Sequence, residues 1–323
     1  MKFFKKAGLA TTLLGVVTIV VSLTTPVWAD FYGHHSPGGW GLQSGSQVPP
    51  PGGFLLTPLY SRYHSDKLVD SNGDEVNLTG LSRDITVNAL GLFGWWVSKY
   101  EILGANWGMM AAIYSADNAI EFPTFEVKND FGLGDIYLQP INLGWHLKQV
   151  DFMVTYGIYF PTGRYKLGAN DNTGLGMWTH EFGAGTTIYF DQEKKWHFSA
   201  MCYFEISTEK EGTDIDVGNI LTVEGGLGRS WYEGALSVGI AYYAQWKLTE
   251  DTIGGLNRLD PRLPSTLTLN RSRIYALGPE VNIPIIIKDK LISIITARYQ
   301  WEFGARARLE GESFNLLLNF PFF

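Results

Sequence analysis

The sequence predicts an all-β protein, a transmembrane antiparallel β-barrel of about twelve strands with short periplasmic turns and long extracellular loops. Three observations support this fold class. Apolar and polar residues alternate with a period of two from Phe54 onward. The connections between these segments are short and long in turn. The chain also begins with an export signal and ends on an aromatic strand that finishes in Phe323.

Residues 1–29 have the features of a signal peptide. Lys2, Lys5 and Lys6 precede an apolar run from Leu9 to Leu23, and small Ala29 is suited to be the last residue removed. Because the apolar run is slightly long, an uncleaved membrane anchor is the alternative. Cleavage removes three lysines and takes the formal net charge from −7 to −10. This acidity argues against a nucleic-acid partner, and we expect a location in the bacterial outer membrane.

Residues 30–53 are rich in Gly, Pro and His, and Pro49 to Gly53 excludes both a helix and a central strand. This segment is predicted to be either a periplasmic tail or a plug in the barrel mouth. His34 and His35 could bind a metal weakly, but no carboxylate or cysteine lies nearby at ligand spacing. We therefore expect them in a flexible polar tail, with no metal and no cofactor.

Residues 54–323 carry the barrel pattern in one unit. From Trp196 to Ile206 the even positions are apolar or small, from Leu291 to Phe303 the odd positions are mostly apolar, and from Phe314 to Phe322 the even positions are apolar. Strands of about ten residues with one apolar face can cross a bilayer at a tilt. The mean hydropathy of −0.02 is too low for a bundle of membrane helices.

The connections separate by length. Short, charged turns are predicted at Lys148 to Asp151, Asp191 to Lys195, Arg229 to Glu233 and Lys288 to Lys290. Long polar loops are predicted at Asp66 to Gly80, Ala116 to Asp130, Thr162 to Leu175, Glu209 to Asp216 and Leu248 to Asn270. Short turns at one end and long loops at the other are typical of an outer-membrane barrel.

Aromatic residues and the single cysteine fit this interpretation. Seven tryptophans lie near predicted strand ends, where they can form interfacial girdles: Trp95, Trp96, Trp145, Trp196, Trp231, Trp246 and Trp301. Cys202 falls on an apolar face with Phe198 and Phe204, so we expect a buried, unreactive thiol.

The charged residues of the strands are predicted to face the lumen. A charge facing lipid costs roughly 2–4 kcal/mol near the bilayer midplane, so the inward position is the stable one. These charged residues either stabilise the barrel wall through salt bridges or line a transport path that the N-terminal segment or a loop gates. Because most of them are acidic, the lumen is expected to repel anions. The predicted lumen residues are Asp135, Glu181, Glu205, Glu224, Glu280, Arg298 and Glu302.

No catalytic residue is predicted. Gly132 to Asp135 opens a strand rather than a helix, so it is not a phosphate-binding loop. His180 lies on the lipid face near the outer rim, as in a Ser–His lipid-modifying barrel, but no serine motif accompanies it.

Several runs resemble the bacterial family named for the putative meta-pathway of phenol degradation. They are GHHSPGG (33–39), VPPPGGFLL (48–56), FGLGDIYLQPINLGWH (131–146), YGIYFPTGRY (156–165), GLGMWTHEFG (174–183), ALGPEVNIP (276–284) and RYQWEFGARARLEGESFNLLLNF (298–320). The resemblance implies an outer-membrane barrel that acts as a transporter. This chain departs from the family pattern in the loop from Leu248 to Asn270 and at His180.

The function predicted from these observations is passive uptake of small hydrophobic or aromatic compounds through an outer-membrane channel. A structural or adhesive barrel and a lipid-modifying enzyme are the alternatives. The expected partners are outer-membrane lipids, the solute, and the barrel-assembly machinery through Phe323.

Overall fold

Strands form the regular structure of the computed structural model, which describes residues 33–76, 84–122, 125–167, 169, 171–231, 235–254 and 271–322. The predicted signal peptide, its cleavage site and Phe323 lie outside these residues. No helix within them is long and apolar enough to cross a membrane.

Fifteen strands occur in the described part of the chain. They are β1 (Phe54–Val69), β2 (Asp84–Ile102), β3 (Ala105–Phe122), β4 (Phe125–Leu133), β5 (Ile136–His146), β6 (Val150–Phe160), β7 (Thr179–Tyr189), β8 (Trp196–Ser207), β9 (Ile215–Asp216), β10 (Ile220–Trp231), β11 (Leu236–Lys247), β12 (Thr252–Ile253), β13 (Arg273–Ile287), β14 (Lys290–Arg306) and β15 (Arg308–Phe322).

The barrel wall has twelve antiparallel strand positions. β4 and β5 both pair with β3 and together occupy one of these positions, with an interruption at Gly134 and Asp135. β9 and β12 pair only with each other, beside the barrel. The remaining strands pair in chain order and β15 returns to β1, so the predicted closed barrel of about twelve strands is confirmed.

The barrel closes where β1 meets β15. Phe54 pairs with Phe322 at one end and Val69 pairs with Arg308 at the other. A register shift between His64 and Lys67 interrupts this ladder, and Gly311 donates its backbone N–H to the Glu302 carboxylate at 2.7 Å. The last strand thus closes the sheet against the first, which removes both free edges.

The two ends of the barrel differ. Short connections join β2 to β3, β5 to β6, β10 to β11 and β13 to β14, and both chain ends of the barrel lie at this end. The longest connections lie at the opposite end, called here the loop end. One predicted loop is wrong: residues 116–122 and 125–130 belong to two paired strands, because β3 extends to Phe122 and pairs with β4. These two stretches are rich in Asp, Asn, Glu and Lys, so their composition resembled that of a loop.

The outer surface is apolar along the alternating positions. In β6, Phe152 and Val154 are exposed, whereas Asp151, Met153 and Thr155 are buried. Such an outward band is the surface a membrane barrel presents to lipid.

Two predictions about side-chain direction are wrong. Cys202 is exposed on the outer face rather than buried, because the apolar face of β8 points out of the barrel. The alternation predicted for Leu291 to Phe303 puts Ser293, an odd position, on the outer face of β14, but Ser293 is buried and Ile292 is 41 % exposed. A register shift between Ile285 and Ile286, opposite this part of β14, accounts for the change of phase.

Candidate functional site: a lumen filled by the N-terminal segment

Residues 33–53, called here the plug segment, run through the barrel interior. Near the short-turn end, Gly52 and Gly53 exchange backbone hydrogen bonds with Val97. At the other extremity, His34 reaches Thr179, the first residue of β7, beside the loop end. Leu42, midway, is 0 % exposed. The segment therefore occupies the lumen along its length rather than forming a tail.

His34 is held in a slot of the wall. Its Nε2 lies 2.8 Å from Asp135 Oδ2, and its Nδ1 lies 2.7 Å from Thr179 Oγ1. The imidazole stacks on the ring of Tyr159, with centroids 4.6 Å apart and planes at 18°. The expected flexible tail at this residue is wrong, since ring and carboxylate are both buried.

His35 occupies a second slot of the same construction. Its Nδ1 lies 2.7 Å from Glu181 Oε2 and its Nε2 lies 3.2 Å from Glu224 Oε1. The ring packs against that of Tyr203 at 4.3 Å between centroids. Both ring nitrogens thus face carboxylates, so the wall binds the imidazole from both edges.

The backbone of the plug segment also binds wall carboxylates. The N–H groups of His34 and His35 both donate to Glu205 Oε1, at 2.7 and 2.9 Å. Gly38 donates to Glu224 Oε2 at 2.8 Å. These contacts satisfy backbone donors that would otherwise be buried without a partner.

The middle of the plug segment rests on an ion pair. Arg298 Nε lies 2.6 Å from Glu280 Oε2, and Arg298 Nη1 donates to the carbonyl of Gly38 at 2.6 Å. Leu42 N donates to both Glu280 oxygens, at 3.3 and 3.2 Å. Gly41 lies so close to this pair that a Cβ would overlap Glu280 Oε2. The Arg298–Glu280 ion pair therefore both stabilises the barrel wall and binds the plug segment.

An aromatic contact and further polar contacts fix the rest of the segment. Trp40 packs against Trp95 and Phe93, with centroids 4.9 and 5.9 Å apart. Trp95 therefore lies inside the barrel, and its predicted place in an interfacial girdle is wrong. Ser46 donates to Asp151 Oδ2 at 2.9 Å, and Gln47 donates to the carbonyl of Asn142 at 2.9 Å.

All seven predicted lumen residues lie inside, and six of them contact the plug segment. The exception is Glu302, which accepts hydrogen bonds from the hydroxyls of Tyr63 and Tyr243 at 2.8 and 2.6 Å. The six in contact are Asp135, Glu181, Glu205, Glu224, Glu280 and Arg298.

Sequence reasoning missed the plug's own residues as site residues. The available signal was the histidine pair together with the glycines of GHHSPGGWGL. Imidazole and backbone N–H groups can donate to the carboxylates of an acidic lumen, and glycine lets the backbone approach them closely.

The long loops pack together at the loop end. Lys247 Nζ lies 2.7 Å from Asp251 Oδ2, and Asp251 Oδ1 accepts the N–H of Gly218 at 2.7 Å. Lys210 Nζ donates to the carbonyl of Leu175 at 2.7 Å. Three loops are thus tied to one another by buried charges.

His180 lies on the outside of β7, as predicted. Its Nδ1 is 2.8 Å from the hydroxyl of Tyr156, so its described hydrogen bond goes to a tyrosine rather than to a serine. This geometry provides no activated serine nucleophile.

The sequence model described as "Putative MetA-pathway of phenol degradation" matches residues 65–318. The chain belongs to this family. A search of the curated proteins finds no match. An outer membrane channel from Pseudomonas putida F1 superposes on this family member with a TM-score of 0.69 at 14 % identity, covering 90 % of this chain and all of that one.

Two further solved structures are less similar to this member of the phenol-degradation family. The transport unit of the autotransporter AIDA-I from Escherichia coli has a TM-score of 0.47 at 10 % identity, with 92 % of this chain and 96 % of that chain covered. The toluene transporter TodX of Pseudomonas putida has a TM-score of 0.38 at 9 % identity, with 85 % and 90 % covered. The channel from strain F1 therefore defines the fold: an outer-membrane β-barrel.

Proposed function

We propose that the protein is an outer-membrane channel for passive uptake of small hydrophobic or aromatic compounds, and that the plug segment closes it. The observation that carries this proposal is the plug's mode of attachment. Residues along the plug segment, from His34 to Gln47, are held by hydrogen bonds to side chains of the lumen, whereas a permanent core would be largely apolar.

Hydrogen bonds to the wall suit a plug segment that must leave the lumen when the channel opens. A hydrogen bond between protein groups contributes only about 0.5–1.5 kcal/mol net, because water replaces the lost partner when the contact opens. The carboxylates of the wall can be hydrated after the plug withdraws. A twelve-stranded barrel lies between the filled eight-stranded and the open sixteen-stranded forms, so the vacated lumen would admit small solutes.

One finding supports the class of solute and a second supports the channel function. The family is described by phenol degradation, and the similar fold from Pseudomonas putida F1 is described as a channel. Diffusion through a barrel needs no bond-making step, and we assign no catalytic residue. We also propose export by cleavage after Ala29, contact with outer-membrane lipids, and assembly through the C-terminal Phe323.

Uptake by intact cells tests the proposal. In cells whose lipopolysaccharide slows hydrophobic solutes, we expect the protein to raise the initial uptake rate of radiolabelled phenol. The control is an equal amount of an unrelated closed barrel in the same strain. Equal rates with both proteins would refute the channel function.

A further inference from the structure

The slots that hold His34 and His35 share one design. Each has a tyrosine ring as its floor, Tyr159 or Tyr203, and oxygen acceptors at the edge of the bound ring. The two slots are adjacent because the histidines are consecutive in the chain. The wall therefore recognises flat rings that carry polar hydrogens at their edges, whether or not those rings belong to the plug.

The acceptors determine which rings fit. Ionised carboxylates only accept hydrogen bonds, so a ring without N–H or O–H groups would leave buried charges unpaired. An aromatic carboxylate would meet like charge from Glu181 and Glu224 in one slot and from Asp135 in the other. Hydroxylated rings and N–H heterocycles satisfy both demands.

Glu205 supplies an observation independent of the histidine rings. Its residue is 2 % exposed, and its Oε1 accepts the N–H groups of both histidines. Its Oε2 is buried without a hydrogen-bond partner among the described residues. Gly33, which lies against this oxygen, has no side chain to offer it. A buried carboxylate oxygen is thus available to a further donor.

We infer that the two slots are solute-binding sites for aromatic rings bearing O–H or N–H donors, and that the plug's histidines occupy them in the solute's absence. The inference rests on the proposed channel function and gives it a substrate class. A solute of this class displaces the imidazoles, so the compound that crosses the channel also releases the plug.

Calorimetric titration of the full-length protein in detergent tests the slots directly. H34A/H35A empties both slots, whereas the matched control S46A/Q47A loosens the same segment and leaves the imidazoles in place. The probes are imidazole and 1,2-dihydroxybenzene, with 1,2-dimethoxybenzene and benzoate as analogues that lack a donor or carry a negative charge.

We expect H34A/H35A to bind both donor probes at least about tenfold more tightly than either analogue, since each gained charge-assisted hydrogen bond is worth about that factor. S46A/Q47A, which keeps the imidazoles as competitors for the slots, should bind the donor probes more weakly than H34A/H35A. Equal affinities for all four probes, or equal behaviour of the two variants, would overturn the inference.

A second measurement covers the case in which H34A/H35A fails to fold. In cells carrying the wild-type protein, imidazole should compete for the slots and reduce the uptake of radiolabelled 1,2-dihydroxybenzene, but should not reduce that of 1,2-dimethoxybenzene, since imidazole itself releases the plug. Equal uptake of both solutes, unaffected by imidazole, would overturn the slots and leave the channel function intact. No uptake of any aromatic solute would refute the channel function, while the titration would still decide the slots.

Discussion

Gly41 and Gly39 show how closely the plug fits at the scale of single residues. A Cβ on Gly41 would overlap the Glu280 carboxylate and crowd Arg298, whereas a Cβ on Gly39 would meet only the carbonyl oxygen of Ser36, at 3.4 Å. The two positions lie in the same short stretch, so their difference isolates the fit against the ion pair.

We predict that G41A opens the channel and that G39A does not. Overpacking a tight contact costs about 1–3 kcal/mol, which raises the population of the displaced plug by a factor of about five to about a hundred. Single-channel recordings in planar bilayers would show frequent openings of G41A and rare openings of G39A and wild type. Identical records from the two variants would show that the fit at Gly41 does not hold the plug.

Residue-level prediction reached the direction of the lumen side chains but not their partners. Strict alternation along β7 and β8 is enough to place Glu181 and Glu205 inside. Their partners lie in a segment without periodicity, and His34 is 171 positions from Glu205. A contact of that separation is fixed by closure of the whole barrel, which no local pattern records.

At the scale of elements, the turn between β7 and β8 depends on one carboxylate. Asp191 accepts the backbone N–H groups of Trp196, Lys195 and Glu193 at 2.7, 3.0 and 3.0 Å. These hydrogen bonds, led by that of Trp196, hold the pKa of Asp191 below its usual value. The carboxylate form therefore stabilises the turn.

We predict that D191N destabilises the barrel at neutral pH and that this effect fades in acid. A carboxyl whose pKa is lower in the folded state contributes its stability above the unfolded pKa and loses it as pH falls through the folded pKa. The difference in thermal unfolding between D191N and wild type should be constant near neutral pH and should narrow as the pH falls below about 3.8, the ordinary pKa of an aspartate. E193Q, whose carboxylate pairs only with Lys195 at the surface, is the control; a gap for D191N that stays constant with pH would contradict the assignment.

Strands whose side chains alternate between lipid and lumen were predicted correctly, whereas segments without that alternation were not. The alternation of β8 and β15 follows from that asymmetry, and both strands appear as expected. The plug segment lies in the lumen and has no lipid-facing side, and the paired residues 116–122 and 125–130 are rich in charged and amide residues. Neither stretch shows the alternation of an amphipathic strand, so the sequence did not distinguish them from loops.

At the scale of the whole molecule, the barrel wall closes independently of the plug segment that occupies its lumen. Closure depends on the ladders from β1 round to β15, in which residues 33–47 of the plug segment take no part. The barrel should therefore form without residues 33–47 and enclose an unobstructed lumen.

We predict that deletion of residues 33–47 gives a folded barrel of high, steady conductance. Planar-bilayer recording measures the conductance, and the heat-dependent shift of gel mobility reports the fold. E302Q, which alters a lumen carboxylate away from the plug, should stay closed. A deletion variant that is folded but conducts no better than wild type would mean that the outer loops, not the plug, form the barrier.

The paired backbone at Gly52, Gly53 and Val97 makes the plug a tethered competitor. Once displaced it remains within a short chain length of its slots, at an effective concentration on the order of millimolar, so reclosure is intramolecular and independent of protein concentration. A solute keeps the channel open only while it competes successfully with the plug segment at that effective concentration. The length of the tether thus sets a threshold: the barrel conducts when solute is abundant outside and reseals by itself when the solute is exhausted.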